Sequence, residues 1–217
     1  MLRATEYKTK PLNHLEVTRT DHINKERSPF VILNGPSAVG KSTLMSALIS
    51  EPGSRYRYVS PFTTRPLRTG ETDKVSVSRQ QFDQIAQTGG FVSVQNLYEH
   101  SYGTPIQTIN RIVEDGKIPI LDFPLNQTHV LLAAGLALLP IYILPESIAV
   151  WYEYLADTKR NTRARLAAGI MELRPLAERG WEAVTNGDLV VRAVTNINGN
   201  PQKTAANISD FLRNHIS

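Results

Sequence analysis

A short apolar run, Phe30-Val31-Ile32-Leu33, leads through Asn34 into Gly35-Pro36-Ser37-Ala38-Val39-Gly40-Lys41-Ser42, and Lys41 to Ser50 then carries Leu44, Leu48 and Ile49 on one helical face. Few arrangements constrain a chain as tightly. The spacing G-x-x-x-x-G-K-[ST] lets backbone N–H groups turn inward around a polyphosphate, while the following helix presents its positive dipole end. Lys41 would bridge β- and γ-phosphates as a point charge, and Ser42 would offer its hydroxyl to Mg²⁺. Gly35, Ser37, Ala38, Val39, Gly40, Lys41, Ser42 and Thr43 are therefore the expected cradle for ATP, with Mg²⁺ as cofactor. The bland alternative, a glycine turn followed by a solvated lysine, does not account for a buried strand before it and an amphipathic helix after it.

The rest of the chain alternates in the same manner. Ser78–Thr88 and Pro105–Asp115 space their apolar residues helically and stop at Gly89-Gly90 and Gly116. Ile118–Phe123 and Ile141–Leu144 are apolar runs of strand length, and Thr128–Leu139 reads as a crossover helix between them. Ser147–Arg179 reads as helical with a break near Asp157–Thr162, Asp188–Val194 as a strand and Pro201–Asn214 as a closing helix. This order predicts an α/β fold with a parallel central sheet flanked by helices. Residues 1–27 show no periodicity and read as an N-terminal extension, leaving 28–217 as one domain.

Composition removes several classes of function. With no cysteine, the chain has no disulfide, no thiolate zinc site and no cysteine nucleophile, and its five histidines stand singly without ligand spacing. The net charge of +4 suits an anionic small molecule, and the basic residues form no concentrated patch for nucleic acid. The apolar stretch Val130–Leu139 ends at Pro140, well short of the roughly 18 residues of a membrane helix. A cytoplasmic protein acting on a small phosphorylated molecule is expected, with neither nucleic acid nor membrane as partner and with its oligomeric state left open.

From residue 29 onward the chain resembles guanylate kinases. The resemblance runs in order through GPSAVGKSTL, FTTRPLRTGE at 62–71, SYGTP at 101–105, ILDF at 120–123, ILPES at 143–147 and ARLAAGIMEL at 164–173. It implies a P-loop kinase fold with an inserted acceptor-binding lobe at about 60–117 and a lid at about 156–165. It also implies that Arg65, Arg68 and Tyr102 hold the acceptor's phosphate, a task for which the guanidinium fork is suited. Asp122 would then act near Mg²⁺ or the acceptor, and Arg165 would stabilise charge on the transferring group from the lid side. Arg160 and Arg163 are further lid candidates, although Ala156-Asp157-Thr158-Lys159 stands where the family has an arginine-rich sequence. Individually each residue has an ordinary reading as a solvated arginine, a half-buried tyrosine or a helix-capping aspartate.

The departures from the family fall on one task. Pro61 replaces a guanine-contacting serine, Ser93 replaces the guanine-binding glutamate, Pro105 stands where a serine is usual, and Pro124 stands where a second acidic residue is usual. Proline offers no N–H and no polar side-chain atom, so it cannot read a base edge. The expected activity is transfer of the γ-phosphoryl of ATP to a phosphorylated acceptor other than GMP, with Ser93 and Asp122 also on the acceptor side. Two alternatives stand beside it. The shortened segment Lys74–Phe82 is similar to kinases that phosphorylate ribose 1,5-bisphosphate, and Pro61 also occurs in guanylate-kinase-like modules that bind proteins without catalysis. The intact Lys41 and Ser42 favour an enzyme.

Overall fold

The computed structural model describes residues 29–97, 99–157, 162–179, 191–196 and 200–216. The proposed extension at 1–27 and the lid candidate Arg160 lie outside the described residues.

Strand β1 (Phe30–Asn34) is buried at every position. It lies third in a five-stranded sheet of order β2-β7-β1-β8-β9, formed with β2 (Tyr56–Tyr58), β7 (Ile118–Asp122), β8 (Leu138–Pro145) and β9 (Arg192–Asn196). Every pairing in that sheet is parallel. Both of its faces must therefore be covered, which explains why its central strands are nearly continuous runs of apolar residues. Along β1, Phe30 and Ile32 enter one core together with Ile109 and Ile112 of α3 (Ile106–Glu114) and Leu131 of α4 (Thr128–Ala133). Val31 and Leu33 point the other way, to Leu44 and Leu48 of α1 (Lys41–Ser50) and Ile208 and Leu212 of α7 (Pro201–His215). Alternation along a strand thus sorts two helical layers onto opposite faces.

A second sheet, of order β4-β3-β6-β5, is built from β3 (Phe62–Thr63), β4 (Val75–Ser76), β5 (Phe91–Leu97) and β6 (His100–Pro105). Here β6 runs antiparallel to both β3 and β5. Helix α2 (Arg79–Gln87) covers it, opened by a capping box in which Ser78 Oγ accepts from Gln81 N and Ser78 N donates to Gln81 Oε1. The lobe's own core is aromatic: the Phe82 and Phe91 rings lie 4.7 Å apart, and Phe62 meets Phe91 edge-on. Strands β3 and β4, two residues each, leave no periodicity to read and exist only through their partners.

Helix α4 ends earlier than the continuous apolar run suggests. Gly135 takes a left-handed φ of 75°, while Leu136 N donates to Leu131 O and Gly135 N to Leu132 O. This glycine stop closes the helix, so the expected helix Thr128–Leu139 is divided and Leu138–Pro140 joins the strand. The expected break near Asp157–Thr162 falls on residues 158–161, which lie outside the described residues; α5 (Ile148–Asp157) is described before them and α6 (Thr162–Arg179) after them. Among the described residues no helix is long and apolar enough to cross a membrane.

Candidate active site

The loop after β1 leaves the centre of the sheet at the carboxyl ends of parallel strands, where open α/β sheets place their ligands. Its backbone takes conformations that ordinary side chains resist: Gly35 has φ 144°, Ala38 φ 64° and Gly40 φ 94°. Gly40 caps α1 without any side-chain hydrogen bond, and the first turn carries no acidic residue. The N–H groups that open α1 therefore face outward with the helix dipole behind them. Lys41 folds back across the loop, its Nζ donating to Gly35 O at 2.7 Å and Pro36 O at 3.2 Å.

Several distant segments brace this loop. Asn196 at the end of β9 donates from Nδ2 to Val39 O at 2.9 Å, and Trp151 of α5 donates from Nε1 to Ser37 O at 2.7 Å. Arg165 of α6 donates from Nη1 to Ser37 Oγ at 2.5 Å. Trp151 is buried, and Gly169 lies so close to its ring and to Pro36 that a side chain there would collide. The α5–α6 pair is thereby packed onto the phosphate-binding loop. Arg163 sits exposed on the same helix.

Ser37 to Thr43 line one side of a cleft of about 1110 Å³ whose other side includes Arg68, Glu71, Lys74, Tyr58 and Asp122. Asp122 ends β7 with its carboxylate open to the cleft. Enclosure by surrounding protein raises its pKa above the usual aspartate value, with Lys41 and Lys74 opposing that shift and Asp73 adding to it. Burial likewise keeps the Tyr58 hydroxyl protonated, reinforced by the carboxylates of Asp122, Asp73 and Glu71. It remains a hydrogen-bond donor.

Behind the cleft wall, Arg65 is committed to a network. Its Nη2 donates to both Glu71 oxygens at 2.7 Å, its Nε to Tyr102 Oη at 3.3 Å and its Nη1 to Pro66 O at 2.8 Å. Glu71 also accepts from Arg68 N at 3.0 Å, and Lys74 Nζ lies 3.5 Å from it. Arg68 itself is exposed toward the cleft. Ser93 lies elsewhere: it is 2% exposed, its hydroxyl 3.2 Å from Thr104 Oγ1 within the lobe sheet, and it does not line the cleft.

Burial alone would raise the pKa of Glu71, but the hydrogen bonds from Arg65 and Arg68 N–H, with Lys74 nearby, outweigh it and hold the carboxyl at about 2. A folded-state pKa below the unfolded value stabilises the fold at pH above the unfolded value and loses that stabilisation as pH falls. The loss should occur between about pH 4.5 and 2 and amount to roughly 3 kcal/mol. Urea unfolding across that window should show the wild type losing stability more steeply than Glu71→Gln. Equal slopes would remove Glu71 as the cause.

The cleft thus brings together the phosphate-binding loop, Arg68 and Asp122, places Arg65 and Tyr102 in its supporting wall, and leaves Ser93 in the lobe. Glu71 stands within the FTTRPLRTGE segment, but its ion pair with Arg65 is not legible from spacing. Trp151, Asn196, Tyr58 and Lys74 carry no motif at all.

A parallel sheet, a phosphate-binding loop at its carboxyl edge and a separate lobe across the cleft define a P-loop phosphotransferase of the nucleotide-kinase class. The guanylate kinase family model matches residues 27–199. The chain belongs to the guanylate kinase family. It is 27% identical over 180 residues to a guanylate kinase of Symbiobacterium thermophilum, covering 80% of this chain and 84% of that one. A guanylate kinase of a Nostoc species is 37% identical over 121 residues, covering 54% of this chain and 60% of its own length. In three dimensions the chain is similar to the crystal structure of guanylate kinase from Anaplasma phagocytophilum, with a TM-score of 0.60, 22% identity and coverage of 88% and 87% of the two chains.

Proposed function

We propose that this protein transfers the γ-phosphoryl group of ATP to a phosphorylated acceptor other than GMP, acting as one domain over residues 28–217 with a lobe at about 60–117 and a lid at about 156–165. The observation that carries the reading is the single cleft holding an intact phosphate cradle on one side and Arg68 with Asp122 on the other. Backbone N–H groups from Ser37 to Thr43 and the Lys41 ammonium hold the ATP phosphates, and Arg68 takes the acceptor's phosphate. Arg65 fixes the loop that carries Arg68 and adds positive charge beside it, with Tyr102 as its support. Arg165, already bonded to Ser37 Oγ, lies on the donor side where charge builds up on the transferring group.

Mg²⁺ fits the donor set. Ser42 and Asp122 supply hard oxygens in the same cleft, and no group of three or more His, Cys, Asp or Glu that could hold a metal occurs among the described residues. That suits an ion carried mainly by nucleotide phosphates and a few protein oxygens. Bound there, it would neutralise charge on the β- and γ-phosphates.

GMP is disfavoured because the positions that would read guanine offer nothing to it. Ser93 is buried and bonded within the sheet, while Pro61, Pro105 and Pro124 lack donors. Loss of such polar contacts removes discrimination of about 10⁴–10⁵. In an ADP-release assay with ATP and Mg²⁺, GMP should give less than a hundredth of the kcat/KM of the best phosphorylated acceptor. GMP as the best acceptor would overturn the reading, and ATP binding lost along with all turnover would favour a protein-binding module.

A further inference from the structure

The acceptor side of the cleft differs sharply from a nucleobase slot. A planar base needs a flat apolar gap for its faces and unpaired polar atoms along its edge. The lobe supplies neither at the sheet that would face the base. Phe91 is 1% exposed and packed between Phe62 and Phe82, and Gly103 lies against its ring so closely that an added Cβ would come within 2.7 Å. Ser93 and Thr104 satisfy each other at 3.2 Å, with exposures of 2% and 9%. None of these residues borders the cleft.

What does border it there is mostly polar. Tyr58, Ser60, Asp73, Lys74 and Asp122 line the acceptor end, and the cleft's remaining aromatic rings among the described residues, Trp151 and Tyr154, come from α5. Lys74 Nζ lies 2.8 Å from Asp73 Oδ2 and 3.5 Å from Glu71 Oε1, and the Lys74 and Asp73 side chains are 21% and 28% exposed. An ammonium next to a carboxylate, with the Asp122 carboxylate and the Tyr58 phenol lining the same cleft, presents donors and acceptors together. Such a set matches adjacent hydroxyl groups, each of which donates one hydrogen bond and accepts others.

We propose that the acceptor is a phosphorylated sugar without a nucleobase, its phosphate on Arg68 and its hydroxyls on Asp73 and Lys74. This rests on the kinase reading above. In the reaction, an oxygen of the sugar's phosphate forms a new bond to the γ-phosphorus of ATP. The bond from that phosphorus to the β–γ bridging oxygen breaks, and ADP departs with the electron pair. A phosphate dianion has no proton to give up, so the sugar's hydroxyls need only be held.

ADP release should be followed with ATP, Mg²⁺ and each of ribose 5-phosphate, ribose 1,5-bisphosphate, glucose 6-phosphate, GMP, dGMP, AMP, CMP and UMP. The expected result is a sugar phosphate whose kcat/KM exceeds that of every nucleotide at least a hundredfold. AMP, CMP or UMP as the best acceptor overturns the sugar assignment and leaves the kinase reading standing; GMP or dGMP as the best acceptor, or no turnover with any compound, overturns both. Asp73→Asn, nearly isosteric, and Lys74→Met should each raise the KM of the sugar phosphate more than tenfold while the KM for ATP stays within twofold. An unchanged acceptor KM in a folded Asp73→Asn would also sink the assignment, whatever Lys74→Met does to folding.

Discussion

Lys41→Ala should lower acceptor-dependent ADP release about a thousandfold or more, with little change in melting temperature. The ammonium is held over the loop by the Gly35 and Pro36 carbonyls, on the side of the cleft where the proposed reading puts the β- and γ-phosphates. A positive charge fixed at that place stabilises the negative charge that builds up on a transferring phosphoryl group. Stability should change little because Lys41 opens α1 at the cleft and is only partly buried. Lys41→Met, which keeps most of the side-chain volume, should be as inactive as Lys41→Ala. Activity within tenfold of wild type in either variant would remove Lys41 from the transfer step.

Gly35→Ala should cost about 3 kcal/mol and lower the melting temperature by roughly 6–12 °C, together with nucleotide affinity. Two causes combine. A φ of 144° is strained for any residue with a Cβ, and that Cβ would run into the Ile143 carbonyl oxygen on the neighbouring strand β8. Neither the loop nor a central strand can move away without disturbing the sheet. Gly53→Ala is the proper comparison, because Gly53 has φ 73° but nothing within 4 Å of an added Cβ. It should lose only about 1 kcal/mol, the strain alone. Differential scanning calorimetry of the two variants measures the collision by difference, and equal losses would show that strain alone sets the cost.

These two residues belong to the part of the molecule that can be read without coordinates. The loop's demands are local: a left-handed glycine, a lysine at one spacing and a hydroxyl beside it are written within eight residues. The three central strands β1, β7 and β8 are similarly legible because strands buried on both faces are largely apolar. Helix α4 was over-extended for the same reason in reverse, since the apolar run Val130–Leu139 conceals the stop at Gly135.

The acceptor side was far less legible. Arg65 reads from its motif as a free phosphate ligand, but the fold spends it on Glu71, Tyr102 and Pro66 and leaves Arg68 facing the cleft. Ser93 sits where a base contact is expected by resemblance, yet pairing of β5 with β6 turns its hydroxyl toward Thr104. Lys74 and Tyr58 meet in one cleft only because β2 and the lobe converge there. The amino-acid sequence alone determined the donor chemistry, because a phosphate cradle is a matter of backbone conformation within one short loop. Only the tertiary structure decided which side chains line the cleft opposite the loop, because each is aimed by hydrogen bonds and strand pairings between segments distant in the chain.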